Sequence, residues 1–307
     1  MRNNKKIGDN EKVGKQTLMK SNYVRGVSWF ILVSVVSALN DALVKMTGLR
    51  LGGMQVAFFR FFFSCLTLLP FMVVGGWACF KTPHWRVHGV RSLFLFLAMA
   101  PWCYGVIALP LSLVTTLSFT TPLFVLVLSA LFLKDAPGWH RIVATCVGFA
   151  GILVSAQPTL AFNNSVFFLI GSTVLFASLD VLNKKLLVQD ETLLSMLFFS
   201  ALGTTCLSFP FALWGWVTPS LFELMTLFIL GIGANLILYC LLKAFACCQL
   251  SALQPFRYVE LLFSSAIGFL VFSELPSWAT LWGACLIIPA TFYVAIYEVR
   301  RPRENAV

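Results

Sequence analysis

The chain has 307 residues, 59% of them hydrophobic and 11% charged, with a mean hydropathy of +0.87. That excludes an ordinary soluble globular domain, in which about a quarter of the residues are charged. The net charge of +10 does not point to nucleic acid, because the basic residues gather at the ends of apolar runs and on the N-terminal tail, where they orient a membrane protein and meet anionic lipid.

The reading is an all-α polytopic membrane protein. Residues 1–22 are too polar, and too long before the first apolar run, for a signal peptide. They are expected to form a disordered basic cytoplasmic tail, with the first span as an uncleaved signal-anchor. Ten spans fit, near 23–47, 54–75, 90–109, 111–133, 139–157, 165–188, 192–214, 219–243, 250–273 and 278–298. Turn residues separate them: Gly52-Gly53, Pro110, Pro137-Gly138, Pro158, Pro219 and Pro276. A short tail, 299–307, follows. Nine cysteines are scattered without a CxxC, and most lie inside apolar spans, so they read as small buried hydrophobes.

Lys and Arg are concentrated on the tails and on the even-numbered connections: Lys81, Arg86 and Arg91, then Lys134 and Arg141, then Lys184 and Lys185, then Lys243. Positive residues mark the cytoplasmic side, so both termini are expected there. A constant offset of 139 residues aligns Ala38, Asp41 and Lys45 with Ala177, Asp180 and Lys184. It also aligns Leu111-Ser112 with Leu250-Ser251, Phe119 with Tyr258, Asp135 with Glu274, Pro137 with Pro276 and Trp139 with Trp278. Two five-span repeats, 23–157 and 165–298, follow from this. An odd number of spans per repeat inverts the second copy and places a site at the repeat interface.

Two such repeats, each ending in an acidic-x-Pro turn (Lys134-Asp135-Ala136-Pro137 and Ser273-Glu274-Leu275-Pro276), resemble the drug/metabolite transporter superfamily, EamA type. The first repeat carries Lys134-Asp135 where many relatives have Gly-Glu. The resemblance implies a central cavity lined by the first, third, fourth, sixth, eighth and ninth spans, with gates near the ends of the third, fourth, eighth and ninth. The overall character is similar to the branch that imports S-adenosylmethionine in exchange for S-adenosylhomocysteine in obligate intracellular bacteria. A proton-coupled exporter of amino acids or cationic drugs, and a membrane enzyme acting on a lipid-linked substrate, stand as alternatives.

The ninth span carries Gln254, Pro255, Arg257, Tyr258 and Glu260 inside an apolar run. A charged residue in the hydrocarbon costs at least about 2.5 kcal/mol, so these side chains are expected to face protein or a cavity. Glu260 is the expected coupling residue, and a local Arg257–Glu260 pair at i,i+3 is the structural alternative. Depth along the spans puts Asp180, Asn235, Tyr239 and Arg257 in the inner half of the bundle. Arg257 suits a carboxylate; Asp180 and Glu260 suit an ammonium or sulfonium. Asp41 with Arg60 forms an outer charge cluster, Thr116 and Thr120 a neutral polar wall, and Trp102 and Tyr104 supply aromatic faces. His84 and His88 are four residues apart but lack a clear third metal ligand. No Walker loop appears, so ATP does not drive transport directly. No metal or cofactor is expected; the expected partners are a small-molecule substrate and membrane lipid, not nucleic acid, with a monomer as the unit.

Overall fold

The computed structural model describes residues 2–48, 50–76, 80–108, 117–135, 137–156, 164–189, 191–272 and 278–300. It is helical throughout these residues. The helices are α1 (Arg2–Gly48), α2 (Gly53–Val74), α3 (Trp85–Ala108), α4 (Thr121–Leu133), α5 (Trp139–Ala156) and α6 (Asn164–Val188). Then come α7 (Leu193–Ala212), α8 (Leu221–Cys247), α9 (Leu250–Leu253), a 3₁₀ stretch (Gln254–Val259), α10 (Glu260–Phe272) and α11 (Trp278–Arg300). Among the described residues, six helices are long and apolar enough to cross a membrane, and α4 and α5 supply shorter apolar segments. Large apolar side chains such as Phe71, Phe132, Phe167, Leu221 and Phe292 point outward. This is the surface a multi-pass protein offers to lipid tails, where every backbone polar group must be satisfied within a helix.

One expectation is corrected at the N-terminus. Residues 2–20, expected to be disordered, continue α1 as helix. The stretch has no proline, and Lys, its commonest residue, loses little rotamer freedom in a helix.

Local chemistry sets several ends. Ser220 caps α8 in a reciprocal box with Glu223, and the Thr192 hydroxyl accepts from the Ser195 N–H at the start of α7. At the end of α4, Lys134 adopts the left-handed conformation, φ 54°. That region favours glycine, and here it turns the next residue, Asp135, into the bundle, where it is buried.

The principal packings pair α1 with α8 and α10, α2 with α7 and α8, α3 with α6 and α7, α4 with α6, and α5 with α11. Close approach needs small residues. A Cβ added to Gly283 on α11 would lie 2.5 Å from the Gly151 carbonyl on α5. Gly231 on α8 meets Phe63 and Ser64 of α2, and Gly203 on α7 meets Ser92 of α3.

Candidate functional site

The ninth span is broken where its sequence requires a break. Pro255 has no N–H to give, and its ring opposes the preceding turn, so the α ladder gives way to 3₁₀ winding over Gln254–Val259. The α-helix resumes at Glu260, whose N–H donates to the carbonyls of Arg257 and Tyr258. The break lies inside the bundle, against α1, α4, α5 and α11.

Arg257 does not pair along its own span. Its Nη2 donates to Asp180 Oδ2 on α6 at 2.6 Å, and its guanidinium lies 5.9 Å from the Phe30 ring on α1. The Arg257 side chain keeps 19% of its surface accessible, against 7% for Asp180. Glu260 turns instead to α1, where it hydrogen-bonds with Ser37 and lies within electrostatic reach of Asp41 and Arg257. Asp41 is exposed and within reach of Arg60 on α2. From Phe30 to Asp41 the site therefore follows α1 for about 16 Å. Asp180–Arg257 forms one layer and Glu260–Ser37–Asp41–Arg60 the next.

Other expected site residues fall elsewhere. Asn235 clasps α8 to α2: its amide donates to the Ser64 carbonyl and Thr67 Oγ1, both at 2.9 Å. Its Oδ1 accepts from Ser64 Oγ at 2.5 Å, so no polar atom is left for a ligand. Tyr258 is fully buried against Gly148 of α5, with its ring 6.0 Å from that of Phe119. Gln254 is equally buried and spends its amide on the Leu250 carbonyl at 3.0 Å. In this arrangement neither side chain meets the site; depth along a span says nothing about the face a residue takes. Tyr239 packs edge-on against Trp29, centroids 6.0 Å apart, with Lys243 5.5 Å from its ring centroid. Thr120 Oγ1 bonds the Leu117 carbonyl at 2.6 Å and Thr173 of α6 at 3.3 Å, and Trp102 is half-buried. Thr116 lies outside the described residues, as does the side chain of Tyr104.

Two buried arginines escaped the sequence reading as sites, and both are held by residues remote in sequence. Arg141 at the start of α5 uses all three of its nitrogens: Nε to Glu298 at 2.8 Å, Nη1 to Ser251 at 2.5 Å and Nη2 to Gln249 at 2.8 Å. Asp135 completes this cluster, 3.5 Å from Nη1. Arg91 on α3 donates to Asn183 at 2.8 Å and to the Met196 carbonyl at 3.3 Å, and meets His88 Nδ1 at 3.1 Å. His88 in turn faces Glu191 at 3.5 Å. His88 thus lies between Arg91 and Glu191, and no group of three metal-ligating side chains occurs among the described residues. Lys184, expected to mark only a span end, donates to the carbonyls of Phe245 and Cys248 at the end of α8. At the opposite end, Arg50 grips Glu223 with Nε at 2.7 Å and Nη2 at 2.5 Å.

A lipid-facing helical bundle whose broken span holds an accessible arginine–carboxylate pair defines a multi-pass membrane carrier. The chain belongs to the EamA-like transporter family, whose profile matches residues 24–157. It is 44% identical to the S-adenosylmethionine uptake transporter of Rickettsia prowazekii (strain Madrid E), over 92% of this chain and 96% of that one. It is 28% identical to the riboflavin transporter of Rhizobium johnstonii (strain DSM 114642 / LMG 32736 / 3841), over 93% and 96% of the two chains. A solved crystal structure superposes with a TM-score of 0.76 at 17% identity, covering 91% of this chain and 98% of that one, and shares the fold. Membership of a transporter family sets aside the membrane-enzyme alternative.

Proposed function

We propose that this carrier takes up S-adenosylmethionine across the bacterial inner membrane in exchange for S-adenosylhomocysteine, binding it beside the break in the ninth span. The observation that carries the reading is near full-length similarity, at 44% identity, to a protein named for S-adenosylmethionine uptake. The chemistry of the break agrees with it. The substrate offers a carboxylate, an ammonium, a sulfonium and an adenine. Arg257 takes the carboxylate through its planar fork, displacing Asp180. Glu260 and Asp41 face the cationic centres.

In this reading residues 23–157 and 165–298 are inverted repeats. Support comes from the packing, because exchanging each span for its counterpart returns the same set of pairs: α1 with α8 becomes α6 with α3, and α2 with α8 becomes α7 with α3. The 139-residue offset also carries Ser64 onto Gly203 and Ser92 onto Gly231. The contact of Gly231 with Ser64 thereby becomes that of Ser92 with Gly203. The basic even-numbered connections support cytoplasmic termini, and two repeats in one chain suit a monomer in contact with membrane lipid.

The test is reconstitution. Proteoliposomes loaded with unlabelled S-adenosylmethionine should accumulate the labelled compound from outside, and external S-adenosylhomocysteine should compete. Absence of uptake by folded, inserted protein would reject this substrate.

A further inference from the structure

Asp180 and Lys184 lie one helical turn apart on α6, and each is engaged elsewhere. Asp180 holds Arg257. Lys184 reaches across to the carbonyls of Phe245 and Cys248, which end α8 and lack an in-helix donor. The elbow Cys248–Gln249–Leu250 that follows is tied down by side chains from other elements. Asp135 accepts from the Ser251 N–H and hydroxyl, both at 3.0 Å, and Arg141 bonds Gln249 at 2.8 Å. Cys248 is sealed in this corner, 8% exposed, with its sulfur against Gly26 of α1. Lys184 also lies within electrostatic reach of Asp135, Cys247 and Cys248. The elbow continues into the broken span, so latch and site share two elements: α6, and the stretch from Ser251 to Arg257.

We infer that Asp180 is a switch: it restrains Arg257 in the empty carrier, and it turns to Lys184 when a substrate carboxylate takes Arg257, so that Lys184 releases the α8–α9 elbow. The inference rests on reading Arg257 as the carboxylate anchor. An acid four residues before a lysine on a helix is a favourable pairing, and displacement supplies the free carboxylate at the moment the substrate is bound. Arg141 keeps Glu298 throughout, so α5 and α11 stay docked while the elbow moves.

Native thiols report the outcome. The purified carrier is treated with a maleimide, and modification of Cys247 and Cys248 is followed by peptide mass spectrometry with and without saturating S-adenosylmethionine, whose binding is measured on the same sample by calorimetry. Substrate should speed modification about tenfold, within the usual range of coupling between sites. In Asp180→Asn, substrate should still bind but give no acceleration. Lys184→Met should be modified rapidly without substrate, and Lys184→Arg, which keeps a donor for the cap, should restore slow modification and show that a fast Met variant is not simply misfolded. Equal rates with and without bound substrate in the native protein, or native-like acceleration in Asp180→Asn, would overturn the switch. If calorimetry shows no binding, the substrate reading fails separately; the Lys184 variants then decide the latch by themselves, and slow modification of folded Lys184→Met rejects it.

Discussion

Arg141 and Arg257 are both basic residues inside a membrane bundle, yet their surroundings differ in kind. Arg141 is 2% exposed and meets two carboxylates, a hydroxyl and an amide oxygen drawn from distant parts of the chain. Arg257 has one hydrogen-bonded carboxylate, an aromatic neighbour and an accessible flank. A buried charge held between two carboxylates is committed to the fold, and giving those up would cost far more than binding returns. A charge with one partner and open surface is able to exchange that partner for a ligand. Saturation, more than burial or charge, separates the structural arginine from the one proposed to bind substrate.

The sharpest break in this comparison is Arg141→Met. It leaves Asp135 and Glu298 buried without their cation, a loss of about 3–5 kcal/mol. Size-exclusion profiles and melting curves should show a largely unfolded or aggregated protein. Next comes Arg257→Lys, which keeps the charge and loses the fork; substrate affinity should fall at least about tenfold, or roughly 1.4 kcal/mol, while the melting temperature stays near that of the native protein. A stable Arg141→Met together with an unfolded Arg257→Lys would invert the assignment. Asn235→Ala sharpens the same distinction away from charge. Loss of its bonds to Ser64 and Thr67 should lower stability by about 1–3 kcal/mol, and calorimetry should find substrate affinity unchanged. The smallest effect is a gain: Lys134→Gly relieves the left-handed residue and should add about 1 kcal/mol, read as a raised melting temperature.

Much of this fold is written in apolar runs and turn residues, and the helices end close to where Gly52-Gly53, Pro219 and the Pro137-Gly138 turn end them. The break in the ninth span was legible for the same reason, since Pro255 acts on its own backbone. The pairing of Arg257 with Asp180 was half legible. Counting residues along the spans put both in the inner half of the bundle, but Glu260, three residues away, competed as the alternative partner and went to Ser37 on α1 instead. Counting failed for Asn235 and Tyr258, because depth fixes height and leaves the face undetermined; each turned toward a neighbouring helix, Asn235 to α2 and Tyr258 to Gly148 of α5. The Arg141 cluster was not legible at all. Its partners Ser251 and Glu298 lie 110 and 157 residues away, and no local pattern brings them together. Lys134 gains a meaning from the structure: its positive φ is a conformation in which glycine carries no strain.

The most direct test of the account is equilibrium binding of S-adenosylmethionine to purified Arg257→Ala, measured by calorimetry beside the native protein after equal melting temperatures have been established. The account predicts a folded carrier that has lost detectable binding. A folded Arg257→Ala that binds as the native protein does would place the substrate elsewhere and return the Arg257–Asp180 pair to the framework of the bundle.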